Sequence, residues 1–465
     1  MSAQASSPKE GTTECSTDVP SSPMLSRYDK DRQTTQTIVT TETPLGSPNN
    51  ADINNDIIEY AEADTKYAWI IVAAAFCNLT MTMGTLNSFG VYQEYYLNQL
   101  YAHKSAVAIS WIATLISFCM FIGAIFTGKI IDKIGFKITC FIGALVCGIA
   151  LVLASFTHQL WQLILTQGIM LGFGASLIFS PSMSIVAQWH TKHRVLATGI
   201  AVSGGGVGGM AISAATQAMV NSIGYRWSLR ILGILIASVS GCTSILYKRR
   251  VSPPKESNIR ILVMLVKDVR FLCIAAAALS INMGYFEPLL YVPTAAVLQG
   301  GSAAASANVV LVFNAGTTLG RMLSGPIAKV LGPSNANLIS SCFSCLLVCI
   351  FLLGVNSIPG YYVFSAIFGA TSTLYLAINT HILAREFGTQ TVATSVGLSM
   401  ACCGIGVLIG NPTQGALYDK FDRPYGRFVA VSAWAAACFA AATLSYVVLR
   451  VIIVRKHGIS HFSKI

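Results

Sequence analysis

Two ionisable side chains stand well inside long apolar runs of this sequence: Arg321, in Thr318-Leu319-Gly320-Arg321, and Glu287, in Tyr285-Phe286-Glu287-Pro288. A guanidinium keeps its proton at any ordinary pH, so inside an apolar run it must face protein, water or an anion. Arg321 reads as a binding-site cation for an anionic or carbonyl-rich solute. The other reading is a structural partner to helix-end carbonyls, or a snorkelling side chain. A carboxyl in apolar surroundings can be brought to titrate near neutrality, which suits Glu287 to proton coupling. Pro288 beside it breaks the helix ladder and frees carbonyls. The alternative is a glutamate that reaches water at the outer end of its run. Asn87, Tyr92, Asn282, Tyr285, Tyr291, Asn314, Tyr375 and Asn379 are sparse donors and rings on apolar segments. A pocket for a small organic solute needs such groups. Each fits interhelical hydrogen bonding or an interfacial aromatic belt as well.

The elements that must hold these residues are membrane spans. The chain has 465 residues, 54% of them hydrophobic and 11% charged, with mean hydropathy +0.62. Ordinary soluble domains are about 25% charged. Runs of roughly 20 apolar residues, rising ~1.5 Å each, cross a ~30 Å hydrocarbon core. Twelve such spans are expected between about residues 68 and 453. The predicted fold is an all-α membrane protein of twelve transmembrane helices in two six-helix pseudo-symmetric halves. Its divisions are a disordered N-terminal tail (1–66), an N-terminal bundle (67–247), a linker (248–270), a C-terminal bundle (271–453) and a C-terminal tail (454–465). With both ends cytoplasmic, the inside segments hold 23 Lys and Arg and the outside loops five, the bias that orients membrane proteins. Two six-span halves about a basic connection suggest a duplicated transporter with a midplane site.

Charge and cysteines narrow the class further. Residues 1–64 carry eleven acids and four bases, so the rest of the chain is strongly basic within an overall charge of +11. Those bases lie beside spans and orient the protein, and nucleic acid is not an expected partner. Twelve of thirteen cysteines lie in apolar runs and read as small core residues. His190 and His193 have no third ligand nearby, so no metal and no cofactor is expected.

Between two spans lies Gly128-Lys129-Ile130-Ile131-Asp132-Lys133-Ile134-Gly135-Phe136-Lys137, a charged, glycine-bounded turn. Asp132 sits between lysines, where a carboxylate can pair with cations or with helix N–H groups. The spacing of Gly128, Asp132, Lys133, Gly135 and Lys137 resembles the loop 2–3 signature of the major facilitator superfamily. Gln167-Gly168, Gly172-Phe173-Gly174, Ser180-Pro181, Trp189, Lys192-His193-Arg194 and Leu196-Ala197-Thr198-Gly199 extend the likeness. So do Gly320-Arg321, Gly325 and Gly415 with Asp419. Together they resemble the monocarboxylate-transporter branch of that superfamily, especially its fungal members.

The resemblance implies a cavity lined by spans 1, 4, 7 and 10 and alternating access by rocking of the halves. Members carry small organic acids, riboflavin and other metabolites, and some fungal relatives move secondary metabolites. The carboxylate carriers have a lysine where this chain has Asn87 and an aspartate where it has Thr317, while Arg321 is kept. The departures point away from lactate- or pyruvate-like solutes toward a larger or less acidic one, or toward different coupling.

Ser203-Gly204-Gly205-Gly206-Val207-Gly208-Gly209 contains Gly-x-Gly-x-x-Gly but follows no strand, so it is not a dinucleotide loop. Gly204 with Gly208, and Gly205 with Gly209, are spaced for close helix contact against the other half; Gly168 with Gly172 and Gly406 with Gly410 read the same way. The expected function is secondary active or facilitative transport of a small organic metabolite, at the plasma membrane or a vacuolar one. Protons are the candidate coupling ion; the oligomeric state is left open by the sequence, with a monomer compatible with it. The other class considered is a non-transporting nutrient sensor on the same scaffold. An enzyme is not expected, since no nucleophile–base pair or phosphate loop is present.

Overall fold

The computed structural model describes residues 63–101, 106–250, 258–355, 357–388, 391–422 and 428–457. The tail expected over 1–66 falls outside them up to position 62. In chain order the helices are α1 (Lys66–Tyr95), α2 (Ala106–Ala154), α3 (Leu160–Trp189), α4 (Arg194–Ile223), α5 (Tyr225–Ser244), α6 (Asn258–Lys267), α7 (Val269–Gly284), α8 (Phe286–Leu298), α9 (Ala303–Leu331), α10 (Pro333–Gly354), α11 (Ile358–Phe387), α12 (Val392–Leu417) and α13 (Val429–His457).

Nine of these, among the described residues, are long and apolar enough to cross a membrane. The difference from twelve has local causes. Helix α2 is two rods, because Gly135 at φ 85° and ψ 169° turns the chain inside it. Only glycine adopts that φ without strain. Helices α7 and α8 are one rod interrupted at Tyr285. Pro288 has no N–H to give the carbonyl four residues back, that of Gly284, so the ladder fails where α7 ends. Helix α9 is long enough but carries Arg321 and Lys329. The architecture is the expected all-helical one of two pseudo-symmetric halves, α1 to α5 and α7 to α13.

One turn repeats between the halves. Gly128, Asp132 and Gly135 of the first half recur at the same spacing as Gly325, Lys329 and Gly332 of the second. Gly332 repeats the turn at φ 86°. The halves meet at two crossings, α4 on α9 and α2 on α12. In the first, Gly199 lies on the carbonyl of Arg321; in the second, Gly397 lies on the carbonyl of Ala124. Gly206 and Gly404 repeat this further along, against Asn314, Thr317 and Thr318 in one case and Phe118 and Phe121 in the other. The first crossing is lined by threonine and asparagine side chains at this point, while the second meets phenylalanines here and is bridged further along by Asn411 Nδ2 donating to Thr114 Oγ1 at 3.5 Å.

Each half is also tied by a buried tyrosine knot. Tyr247 donates to Ser182 Oγ at 2.7 Å and accepts from Asn78 Nδ2 at 2.8 Å. In the second half Tyr446 donates to Asn379 Oδ1 at 3.1 Å, which also accepts from Asn337 Nδ2 at 2.7 Å. Such bonds average about 0.6 kcal/mol in membrane bundles, so the knots fix registry more than they stabilise.

The glycine run serves two neighbours. Gly205, Gly206 and Gly209 face α9 across the halves, whereas Gly204 and Gly208 lie on the Phe76 and Thr80 carbonyls of α1, within their own half. Gly168 and Gly172 likewise pack on α2, and Gly406 and Gly410 on α7. The cross-half placement expected of all of them is thus corrected: residues four apart share a face, but adjacent faces look at different helices.

The two halves are drawn together at the end of the bundle that carries Asp64, Asp132 and Arg194. There α11 reaches α4 and α3, with His381 in electrostatic range of Arg194. At the opposite end α8 packs on α7, α9, α11, α12 and α13, all of its own half.

Candidate functional site

Arg321 lies in the middle of α9, buried to 8% exposure. Its Nη1 donates to the carbonyl of Val202 at 3.1 Å. A Cβ built at Gly205 would stand 2.8 Å from that Nη1 and 2.8 Å from Met83 Cβ. The absence of a side chain at 205 is what lets the guanidinium lie on α4. Nε is buried and finds no acceptor among the described residues, and no carboxylate there pairs with Arg321. A buried cation with no carboxylate beside it among the described residues is costly to desolvate.

Around it stand neutral donors. Asn87 Nδ2 donates to Asn314 Oδ1 at 3.2 Å, bridging α1 to α9 across the halves. Thr317 and Thr318 both donate to the Asn314 carbonyl at 2.9 Å. On the other side are the phenols of Tyr285 and Tyr375, both in electrostatic range of Arg321. Tyr375 accepts from Asn282 Nδ2 at 2.8 Å, and Tyr285 leans on Phe313 with ring centroids 5.9 Å apart. Spans 1, 5, 7, 8 and 10 thus converge on one cation at the meeting of the halves. Asn87 and Thr317 both meet Asn314 on this seam.

Three candidates are elsewhere. Tyr92 bonds Ser228 Oγ at 2.8 Å and stacks on Tyr96 inside the first half. Tyr291 lies with Tyr418 and Phe428 at the opposite end of the bundle. Asn379 belongs to the second tyrosine knot. Glu287 and Pro288 fall in α8, but their side chains lie outside the described residues. Sequence reasoning missed Gly206, Met83, Thr318 and the Val202 carbonyl. The triple glycine was the available signal, since a Cβ at Gly204, Gly205 or Gly206 would meet Thr80, Arg321 or Thr318 respectively.

The charged turn is tied to its own half. Arg249, after α5, reaches Asp132 Oδ1 at 3.9 Å, donates to the Ile131 and Asp132 carbonyls, and lies over the Phe136 ring at 5.7 Å. Lys133 is exposed and Lys137 half-buried. Nearby, Asp64 accepts from the Thr191 hydroxyl at 2.6 Å and the Lys192 N–H at 3.1 Å, and meets His190 Nδ1 at 3.4 Å. Burial alone would raise the Asp64 carboxyl, but those hydrogen bonds and His190 outweigh it and hold it at about 2 against an ordinary 3.8. Burial pushes the His190 imidazole down, against the pull of Asp64.

The arrangement is a bundle of two related helical halves that cross at a cation-bearing polar seam. Residues 68–411 match the sequence profile of the Major Facilitator Superfamily, and the chain belongs to that family. An MFS-type transporter of Aspergillus niger, pynF, is 30% identical over 79% of this chain and 86% of its own. The aspyridones efflux protein apdF of Emericella nidulans is 29% identical over 80% of this chain and 75% of its own. The crystal structure of the transporter FucP in its outward conformation superposes with TM-score 0.64 at 16% identity, covering 82% of this chain and 99% of that one. The protein is a multi-span membrane transporter, and the sensor alternative draws no support from these relatives.

Proposed function

We propose that this transporter carries a small organic metabolite, anionic or rich in carbonyls and larger than lactate, across the plasma membrane by alternating access. The single observation behind the solute class is Arg321: buried, hydrogen-bonded to one backbone carbonyl, with no carboxylate partner among the described residues and two phenols nearby. Asn87 and Thr317 stand where the carboxylate carriers have charges, which supports a larger or less acidic solute over a small monocarboxylate. Membership of the monocarboxylate-transporter-like branch is part of this reading and rests on the sequence motifs. Efflux is the favoured direction, because relatives are named efflux proteins.

The end bearing Asp64, Asp132 and Arg194 is assigned to the cytoplasm, with both termini there, on the positive-inside bias. Packing at that end then corresponds to an outward-facing state. Asp132 and its lysines act as the cytoplasmic gate, and the bundles divide at the 248–270 linker. Glu287 is assigned the coupling proton. Purified protein in vesicles tests these assignments. Larger organic anions should move and lactate should not; lactate as a preferred solute would overturn the class. A Glu287→Gln variant whose flux still responds normally to a pH gradient would remove the proton role.

A further inference from the structure

The linker between the halves contains a helix that the solute path does not use. Helix α6, Asn258–Lys267, packs on α7 and α12 at the charged end of the bundle. Leu265 on its inner face is buried to 0% exposure. Arg260, Val263, Met264 and Lys267 follow the i, i+3, i+4, i+7 spacing of one helical face, and all four are exposed. That face is an apolar pair between two cations. Val263 and Met264 are 48% and 50% exposed, and Val266 beside them is 51% exposed.

The inner face has a particular seat. Leu262 lines a small gap with Ile125, Gly128 and Lys129 of α2 and Thr394 of α12. A Cβ at Gly128 would have nothing within 4 Å, whereas one at its repeat mate Gly325 would meet Leu196 Cα at 2.6 Å. The α4–α9 crossing is therefore shut at this end by direct backbone contact. The α2–α12 crossing keeps a gap, and α6 lies over it.

We propose that the outer face of α6 is a docking site for the anionic phospholipid surface of the bilayer, and that a docked α6 holds Leu262 over the α2–α12 gap. The occupant follows from charge and level. Helix α6 adjoins the ends of two membrane spans, which places it at headgroup depth. An apolar pair flanked by Arg and Lys fits the boundary between acyl chains and anionic headgroups. Lys248 and Arg250 of the same linker add positive charge at this end, and such a field favours anionic lipid.

Hydrogen exchange on the full-length protein in lipid nanodiscs tests this. In discs of phosphatidylcholine with phosphatidylserine, the amides of 258–267 should exchange about tenfold more slowly than in phosphatidylcholine alone, an effect reduced by salt. The Arg260→Gln/Lys267→Gln variant should lose that difference while its spans exchange as in the wild type. Met264→Glu should lose protection in both lipids. Equal exchange in the two lipids would overturn the proposal, whether the face is covered by neutral lipid or by a protein. So would a difference that survives the double substitution.

Discussion

Arg321 Nη1 occupies the space that a side chain at position 205 would need, 2.8 Å from where its Cβ would stand. The two residues belong to different halves, so the cation's position and the approach of α4 to α9 are one geometric fact. A methyl at 205 must push either Arg321 or Met83, a cost of about 1–3 kcal/mol for overpacking. Gly205→Ala should lower transport by roughly tenfold or more, the rate equivalent of ~1.4 kcal/mol, with the protein still folded. Flux in vesicles beside a thermal unfolding curve checks this; full flux would show that Arg321 need not lie on α4.

Removing the cation should separate stability from function. Arg321→Met takes away a buried cation that has no carboxylate partner among the described residues, and the desolvation cost of that charge goes with it. The variant should melt at or above the wild-type temperature and bind no solute. Arg321→Lys keeps the charge but loses the planar donor set, and should retain the fold with weakened binding. A strongly destabilised Arg321→Met would mean that the guanidinium serves mainly to hold the helices.

The Asp64 clamp predicts a pH window. Its carboxyl is held at about 2 in the folded protein against an ordinary 3.8. A depressed carboxylate contributes stability that is present above 3.8 and lost as pH falls through the folded value. The melting-temperature gap between wild type and Asp64→Asn should stay level from neutral pH down to about 4 and then close. A gap that changed well above pH 4 but below the ordinary imidazole value of 6.5 would assign the effect to His190 instead.

Asp132 and Lys329 are repeat mates with opposite charge. Asp132 is joined to Arg249, while Lys329 is exposed at the end of α9. Asp132→Ala should slow or abolish transport with expression preserved, and Lys329→Ala should change it less than twofold. Equal effects on flux would deny Asp132 its gating role.

What the sequence disclosed and what it hid have physical causes. Span length and charge bias are set by the bilayer, so the two-half helical fold was legible. Arg321 was legible because a guanidinium in an apolar run has few places to go. The direction of each glycine was not, since Gly204 and Gly205 differ by one residue yet face α1 and α9. Nor was Asn379 separable from Asn282: an amide in an apolar span serves a knot or a pocket, and only the neighbouring helices decide. Helix α6 escaped notice because ten residues inside a basic connection are too few to stand out by periodicity alone.

The most direct measurement is an untargeted comparison of metabolites inside and outside cells that express the wild type, Arg321→Met or no transporter. A shift of one or a few anionic or carbonyl-rich metabolites that requires the wild type and disappears with Arg321→Met is the expected result. The same shift persisting in the Arg321→Met cells, with the variant at normal abundance, would contradict a solute site built on Arg321.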